Sequence, residues 1–284
     1  MIIRIYISNF GLLFMKIALL ISTYNRPDAL DLCLKSIVNQ VIMPHEILIA
    51  DDGSDERTKL LIESYSQNSS LPLIHIWHED SGFELAKIRN KAIAVSKSDY
   101  IVQIDGDLIL HPYFIKDHID FAKPNSFVRA SRIYLDPDLT QLKISNGDVK
   151  VNLLEKGVSN TTSALRIPFL RSFFEYNYKI KGDERWEIHG CNMAFWRKDA
   201  IQVNGYNEDF VGWGPEDKEF VARLLNLGLK KRFLKFGGIV FHLWHQINSK
   251  ANLSQNEAVF EEAKSSNKSY CENGIDKYLN LQLI

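Results

Sequence analysis

The chain has 284 residues, 45% of them hydrophobic and 24% charged, with a formal net charge of −1. That profile fits a water-soluble globular enzyme with core enough for one large α/β domain or a domain plus a lobe, and it offers nucleic acid no electrostatic footprint. Cys33, Cys191 and Cys271 are too scattered for a metal-type cluster, and so sparse and odd a set predicts reduced thiols in the cytoplasm.

Residues 1–14 are apolar but interrupted by Arg4, Ser8, Asn9 and Gly11. They are too short to span a bilayer and carry no small-residue cleavage site. A clean strand pattern follows Met15-Lys16. The expectation is that translation starts at Met15 and that 1–14 is absent from the native chain or a loose extension; the second reading is a short membrane-surface anchor.

Ile17–Ser22 reads as a strand, and Thr23-Tyr24-Asn25-Arg26-Pro27 as a turn. A helix over about Asp28–Asn39 places Leu30, Leu34, Ile37 and Val38 on one face. Glu46–Ala50 is a second strand ending in Asp51-Asp52-Gly53-Ser54, and Ser54 or Asp55 caps a helix carrying Leu60, Leu61 and Tyr65. Leu73–Trp77 is a third strand. Leu85, Ile88, Ala92 and Val95 mark a helix leading into a fourth strand, Tyr100–Ile104, which ends in Asp105-Gly106-Asp107. Such alternation predicts βαβ units around a mostly parallel, Rossmann-like sheet flanked by helices, an α/β fold. Further on, Phe173–Tyr178 reads as a packed helix, with an acceptor-binding flap as the alternative. The cluster Lys230-Lys231-Arg232, with Lys235, reads as a solvated face able at most to touch an anionic membrane. Ala258, Phe260 and Ala263 mark a helix in the tail.

Ligands of open α/β sheets collect beyond the carboxyl ends of the strands, where the acids of this chain fall. Asp105 and Asp107 are hard oxygen donors suited to Mg²⁺ or Mn²⁺ carrying a substrate's phosphates, and Gly106 between them lets backbone and ligand approach closely. Asp51 and Asp52 would accept hydrogen bonds from a nucleobase or ribose. No glycine-rich phosphate loop is present. Phosphates therefore need a metal and a basic side chain, and Arg89, one helical step from the apolar face beside Ala86 and Asn90, is the candidate.

The second half carries Gly190-Cys191-Asn192-Met193-Ala194-Phe195-Trp196, then Asn204-Gly205-Tyr206-Asn207-Glu208, then Gly212-Trp213-Gly214-Pro215-Glu216-Asp217. Pro215 starts a helix, and Glu216 and Asp217 in its first turn suit the helix dipole. A carboxylate at a helix tip beside Trp213, a platform for a sugar ring, is placed to deprotonate an acceptor hydroxyl. An apolar run then ends in His242-Leu243-Trp244-His245, where the resemblance set out below implies that one histidine joins the acids on a metal. His242 is preferred, and His245 is the alternative or an outer contact to pyrophosphate. Imidazole with carboxylate suits Mn²⁺ better than Mg²⁺.

Thr23-Tyr24-Asn25-Arg26, Asp51-Asp52-Gly53-Ser54, Gly82-Phe83 with Arg89-Asn90, and Asp105-Gly106-Asp107 together resemble the motif series of family-2 glycosyltransferases. The likeness extends to the transferase modules of bacterial chondroitin polymerases. The later stretch is similar to the Trp-Gly-x-Glu-Asp motif of β1,4-galactosyltransferases, with Pro215 where glycine is usual.

The resemblance implies a GT-A fold with a C-terminal acceptor-binding part. It divides the chain into a donor half at 15–125, a variable region at 126–186, an acceptor half at 187–250 and a tail at 251–284. Asp217 would be the general base and Glu216 an acceptor ligand. The implied activity is inverting, metal-dependent transfer of a hexose or N-acetylhexosamine from a UDP-sugar to a glycan or lipid-linked glycan in surface polysaccharide synthesis. It would take place in the cytoplasm, with at most peripheral contact at the inner face of the membrane. The competing readings are an Asp-x-Asp phosphatase or nucleotidyltransferase and a non-catalytic carbohydrate-binding relative.

Overall fold

The structure, a computed structural model, describes residues 15–175, 181–246 and 252–280. The expectations for 1–14 and for Tyr176–Tyr178 lie outside these. Strands β1 (Ile17–Thr23), β2 (Glu46–Asp51), β3 (Leu73–Trp77) and β4 (Tyr100–Asp105) pair in parallel in the order β3-β2-β1-β4. Between them run α1 (Pro27–Val38), α2 (Glu56–Asn68) and α3 (Leu85–Val95). Ile17, Leu19 and Ile21 of β1 pack in one layer with Leu30, Leu34 and Ile37 of α1. Ala18 and Leu20 pack in the other with Ala86, Ile88 and Ala92 of α3. Both faces of β1 are covered, which is why it reads as an unbroken apolar run.

The strand order positions the site. From β3 at the sheet edge, α3 carries the chain back across the sheet so that β4 lands on the far side of β1. Connections leaving β1 and β4 therefore diverge and open a crevice at their carboxyl ends. Register sets Ser22 beside Asp105 and Thr23 beside Asp51 at its floor.

The rest of the chain extends this sheet and adds a small one. The further strands are β5 (Leu108–Leu110), β6 (Ser126–Ala130), β7 (Ile133–Leu135), β8 (Val158–Ser159), β9 (Asn192–Trp196), β10 (Lys230–Leu234) and β11 (Val240–His242). The large sheet runs β10-β6-β9-β4-β1-β2-β3, with β9 antiparallel to both its neighbours. The small sheet runs β5-β11-β7-β8, and β11 pairs antiparallel with β5 so that His242 faces Leu108. The later helices are α4 (Phe114–Phe121), α5 (Pro137–Asn146), α6 (Arg171–Phe174), α7 (Arg197–Gln202), α8 (Glu216–Asn226), α9 (Leu253–Ser265) and α10 (Asp276–Leu279). Phe220 and Leu224 of α8 join the α3 layer, and Phe260 and Ala263 of α9 pack on Ala222 behind it. No helix among the described residues is long and apolar enough to cross a membrane.

Several local expectations are corrected. Val38 and Leu60 are exposed; α2 buries Thr58 and Ile62 instead, and Asp55 caps it by accepting from the Arg57 N–H at 3.1 Å. In the basic cluster only Lys230 is solvated. Lys231 and Arg232 are buried on the edge strand: Lys231 donates to the Glu184 and Glu187 carbonyls, and Arg232 to the Phe121 carbonyl and the Glu175 carboxylate. The pair staples irregular chain to the sheet edge. Of the aromatic stretch, the described Phe173 and Phe174 lie in the single turn of α6; Phe174 packs on Phe236 at 5.4 Å between ring centres, while Phe173 is 74% exposed.

The tail docks through Asn204, which is buried with φ 66°. Its amide donates to the Cys271 carbonyl at 2.8 Å and accepts from the Asp276 N–H at 2.9 Å. Asn204→Ala removes both bonds and the side chain that tolerates positive φ, so it should lower stability by about 1–3 kcal/mol. An unchanged urea midpoint would show that the tail is not held there.

Candidate active site

Arg89, on α3, is 1% exposed and sits at the floor of the crevice. Its guanidinium donates to Ser22 Oγ at 3.1 Å, Asp105 Oδ1 at 3.3 Å and Asp217 Oδ1 at 2.9 Å, with Glu216 Oε1 at 3.5 Å. It lies 5.3 Å from the centre of the Tyr206 ring. Burial alone would lower its pKa, but Asp217, Asp105 and Glu216 hold it above the ordinary value. A cation this deep is tolerable only when paired, and here it ties the end of β4 to the first turn of α8.

Asp217 occupies a shaped seat. A Cβ built on Gly190 would lie 1.9 Å from Asp217 Oδ2, so only glycine fits beneath the carboxylate. The Tyr206 hydroxyl is 2.9 Å from Gln103 Oε1 and 3.4 Å from Asp217 Oδ1, and Gln103 donates back to the Gly190 carbonyl at 3.0 Å. Tyr206 is stacked on Phe220 with 4.5 Å between ring centres. Burial, then the Asp217 charge, pushes Glu216 up to about 8 against the opposing pull of Arg89. Burial also raises Asp105.

Asp107 belongs to a second cluster. Ligand atoms of Asp107, His242 and His245 lie within 4.8 Å of one another. The His242 and His245 Nε2 atoms stand 3.8 and 3.4 Å from the Asp107 carboxylate, and Arg26 donates to Asp107 Oδ2 at 2.8 Å. Asp107 Oδ1 is buried without a hydrogen-bond partner. Burial lowers the His242 pKa, favouring the neutral imidazole that ligates metals. One carboxylate, two imidazoles and an unsatisfied oxygen fit a divalent cation. Both histidines reach this cluster. Asp105 is not part of it, since its carboxylate turns to Arg89.

The other expected residues take distinct places. Thr23 lines the approach to Gly106, whose added Cβ would meet it at 3.3 Å. Tyr24 is exposed and donates to Asp80 Oδ2 at 3.0 Å, while Asn25, at φ 47°, accepts from the Asp55 N–H at 2.8 Å. Asp51 is bound to the Ser54 N–H and His75, and Asp52 to His78 and the Glu84 N–H. These two buried acids build the turn, each carboxylate oxygen holding one of those bonds. Asn90 is fully buried and clips the Tyr206 backbone by bonds of 2.7 Å at each end of its amide, so it points away from the crevice. Arg89 likewise is committed to carboxylates and not presented to phosphate. Trp213 is 37% exposed on a loop whose carbonyls at Val211 and Trp213 accept from Asn256 of α9. Gln103, Gly190, Tyr206, His75 and His78 were not singled out by sequence reasoning; Gly190 and Tyr206 stand inside the quoted motifs, but nothing local announces their partners.

The chain matches the family model described as glycosyl transferase family 2 over residues 18–203 and that of the N-terminal domain of galactosyltransferase over residues 169–246. It is 25% identical to a chondroitin synthase of Escherichia coli over 80% of its own length and 34% of that protein's. It is 25% identical to a hyaluronan synthase of Pasteurella multocida over 75% of its length and 23% of the relative's. The chain thus spans about a third or less of these relatives. In structure it is similar to S. aureus TarS 1–349 in complex with UDP, with a TM-score of 0.61 at 16% identity over 88% of this chain and 65% of that one. It also resembles the mannosyltransferase PcManGT from Pyrobaculum calidifontis in complex with GDP-Man and Mn²⁺, with a TM-score of 0.55 at 16% identity over 86% of this chain and 65% of that one. The fold is GT-A.

The raised Glu216 gives a pH signature. Below about pH 4.5 the carboxyl is neutral folded or unfolded; between there and pH 8 only the unfolded chain releases the proton, so this group's contribution to stability declines as pH rises. Glu216→Gln removes the decline. The melting temperature of the variant minus that of the wild type should grow from pH 5 to pH 8, by roughly 2–4 °C per kcal/mol recovered. A pH-independent difference would contradict the assignment.

Proposed function

This chain belongs to glycosyl transferase family 2, and from that membership we propose that it is an inverting, metal-dependent glycosyltransferase moving a hexose or N-acetylhexosamine from a UDP-sugar to a glycan or lipid-linked glycan. The observation that carries the reading is the split of the Asp-x-Asp pair. Asp107 joins two histidines in a metal-type cluster, while Asp105 shares one buried guanidinium with Asp217. A donor diphosphate at the first cluster would bring its sugar toward the second.

Asp107, His242 and His245 would hold the cation, Mn²⁺ in preference to Mg²⁺, which would neutralise charge developing on the departing diphosphate. Asp217 takes the proton of the acceptor hydroxyl as that oxygen attacks the anomeric carbon. Arg89 and the Tyr206 hydroxyl fix the orientation of the Asp217 carboxylate, and Gly190 leaves it room. Glu216, protonated near neutral pH, offers an O–H to the acceptor, and Trp213 gives the sugar a stacking face. One displacement on the face opposite the leaving group inverts the anomeric centre. UDP and UDP-GlcNAc bound to TarS, and GDP-Man with Mn²⁺ bound to PcManGT, support a nucleotide-sugar donor. Likeness to glycan synthases supports a growing surface polysaccharide as acceptor. We place the reaction in the cytoplasm, at most in peripheral contact with the inner face of a membrane; the three buried free cysteines accord with a reducing compartment.

With Asp217→Asn, UDP affinity should persist while transfer from UDP-sugars to glycan acceptors falls by at least about 100-fold, the usual range for loss of a general base. Retained transfer would remove Asp217 from that role.

A further inference from the structure

The cations facing the crevice are unequally committed. Arg26 is engaged with Asp107 and the Trp244 carbonyl, and Arg89 with three carboxylates. Arg132 differs. It stands in the two-residue link between β6 and β7, where the large sheet passes into the small one. Its Nε donates to the Tyr134 hydroxyl at 2.9 Å and its Nη1 to Cys191 Sγ at 3.1 Å, while Nη2 makes no hydrogen bond to any described residue. Among the described residues no carboxylate lies within ion-pair distance of it.

The surroundings aim this guanidinium at the reaction zone. Its neighbour Cys191 follows Gly190, on which Asp217 rests. Tyr134, under the guanidinium at 5.1 Å from its ring centre, lies 6.0 Å from the ring of His242. The Arg132 charge is felt at both Asp105 and His242. Burial pushes the Cys191 thiol up to about 12, so it stays neutral and leaves the arginine's charge uncancelled. The Asn160 amide holds the Arg132 carbonyl at 2.7 Å, and Asn192 holds that of Ser131 at 2.8 Å, so the backbone is anchored on both sides. A half-buried arginine held by neutral partners, with one nitrogen free, is preorganised for an anion that the chain itself does not supply.

We infer that Arg132 is the residue that grips the donor's diphosphate, the role for which Arg89 is unavailable. This rests on the nucleotide-sugar reading above. With Tyr134 linking it toward His242 and Cys191 toward Gly190, its free nitrogen meets phosphate oxygens and draws the leaving group from the anomeric carbon.

The test is calorimetric titration of uridine, UMP and UDP into wild type, Arg132→Gln and Arg132→Lys in the presence of Mn²⁺, with unliganded melting curves to verify folding. Arg132→Gln should weaken UDP roughly 10–100-fold, as loss of charge-assisted hydrogen bonds does, and leave uridine within about twofold. Arg132→Lys, keeping the charge without the fork, should fall between. Wild type that binds UDP and an Arg132→Gln variant that binds it as tightly would overturn the assignment to Arg132 alone. Wild type that ignores UDP would overturn the donor reading and this assignment with it. If Arg132→Gln does not fold, Arg132→Lys decides: UDP affinity equal to wild type overturns the assignment of a guanidinium grip to Arg132, and a selective loss for UDP over uridine supports it.

Discussion

The buried guanidinium of Arg89 is the constraint around which the site is built. Glu216, Asp217 and Asp105 would repel one another if left together in a dry crevice, and the cation among them makes their convergence tolerable. Removing one partner of such an arrangement typically costs about 3–5 kcal/mol, because the remaining charges are left uncompensated. The same cation that permits the cluster also ties the two sequence halves together, since its partners lie 16 and 128 positions along the chain. Fold stability and the orientation of the Asp217 carboxylate thus rest on one side chain.

Topology does the remaining positioning. The reversal of strand order between β1 and β4 opens the crevice, antiparallel β9 brings Gly190 and Cys191 alongside the end of β4, and β11 sets His242 opposite the residue after Asp107. Each is a backbone pairing, which fixes side-chain origins more firmly than loops could. The loop carrying Trp213 is braced differently, by Asn252, the cap of α9, and Asn256 within it gripping its carbonyls, with no room at Gly214 for a side chain. The glycines around Trp213 are therefore explained by packing from behind as much as by any ligand in front.

Strand and helix periodicity made β1 to β4 and α1 to α3 readable, because a parallel sheet covered on both faces leaves continuous apolar runs. The Asp-x-Asp turn and the Trp-Gly-Pro-Glu-Asp helix start were readable as chemistry from their motif spacing, although acids in a helix's first turn also suit its dipole. Arg89 was seen but its role was not: a helix arginine looks alike whether it faces water or three distant acids. Asn90, quoted with Arg89 in the same motif, hides its role for the same reason, its partner Tyr206 lying 116 positions away. Lys231 and Arg232 looked solvated because charge runs usually are; only the edge position of β10 and the chain folded over it bury them. The short strands of the small sheet carry too few residues to show a period, so the convergence of both histidines on Asp107 appears only in three dimensions.

The central claim is that a cation and a nucleoside diphosphate share one site at Asp107, His242 and His245. Thermal denaturation with UDP, with and without Mn²⁺, on wild type and His242→Ala tests it most directly. UDP at 100-fold its Kd adds about 2.7 kcal/mol of stability. The expected result is a rise of several degrees for wild type only when both are present, and its loss in His242→Ala. Equal stabilisation by UDP without metal, or an undiminished rise in the variant, would contradict it.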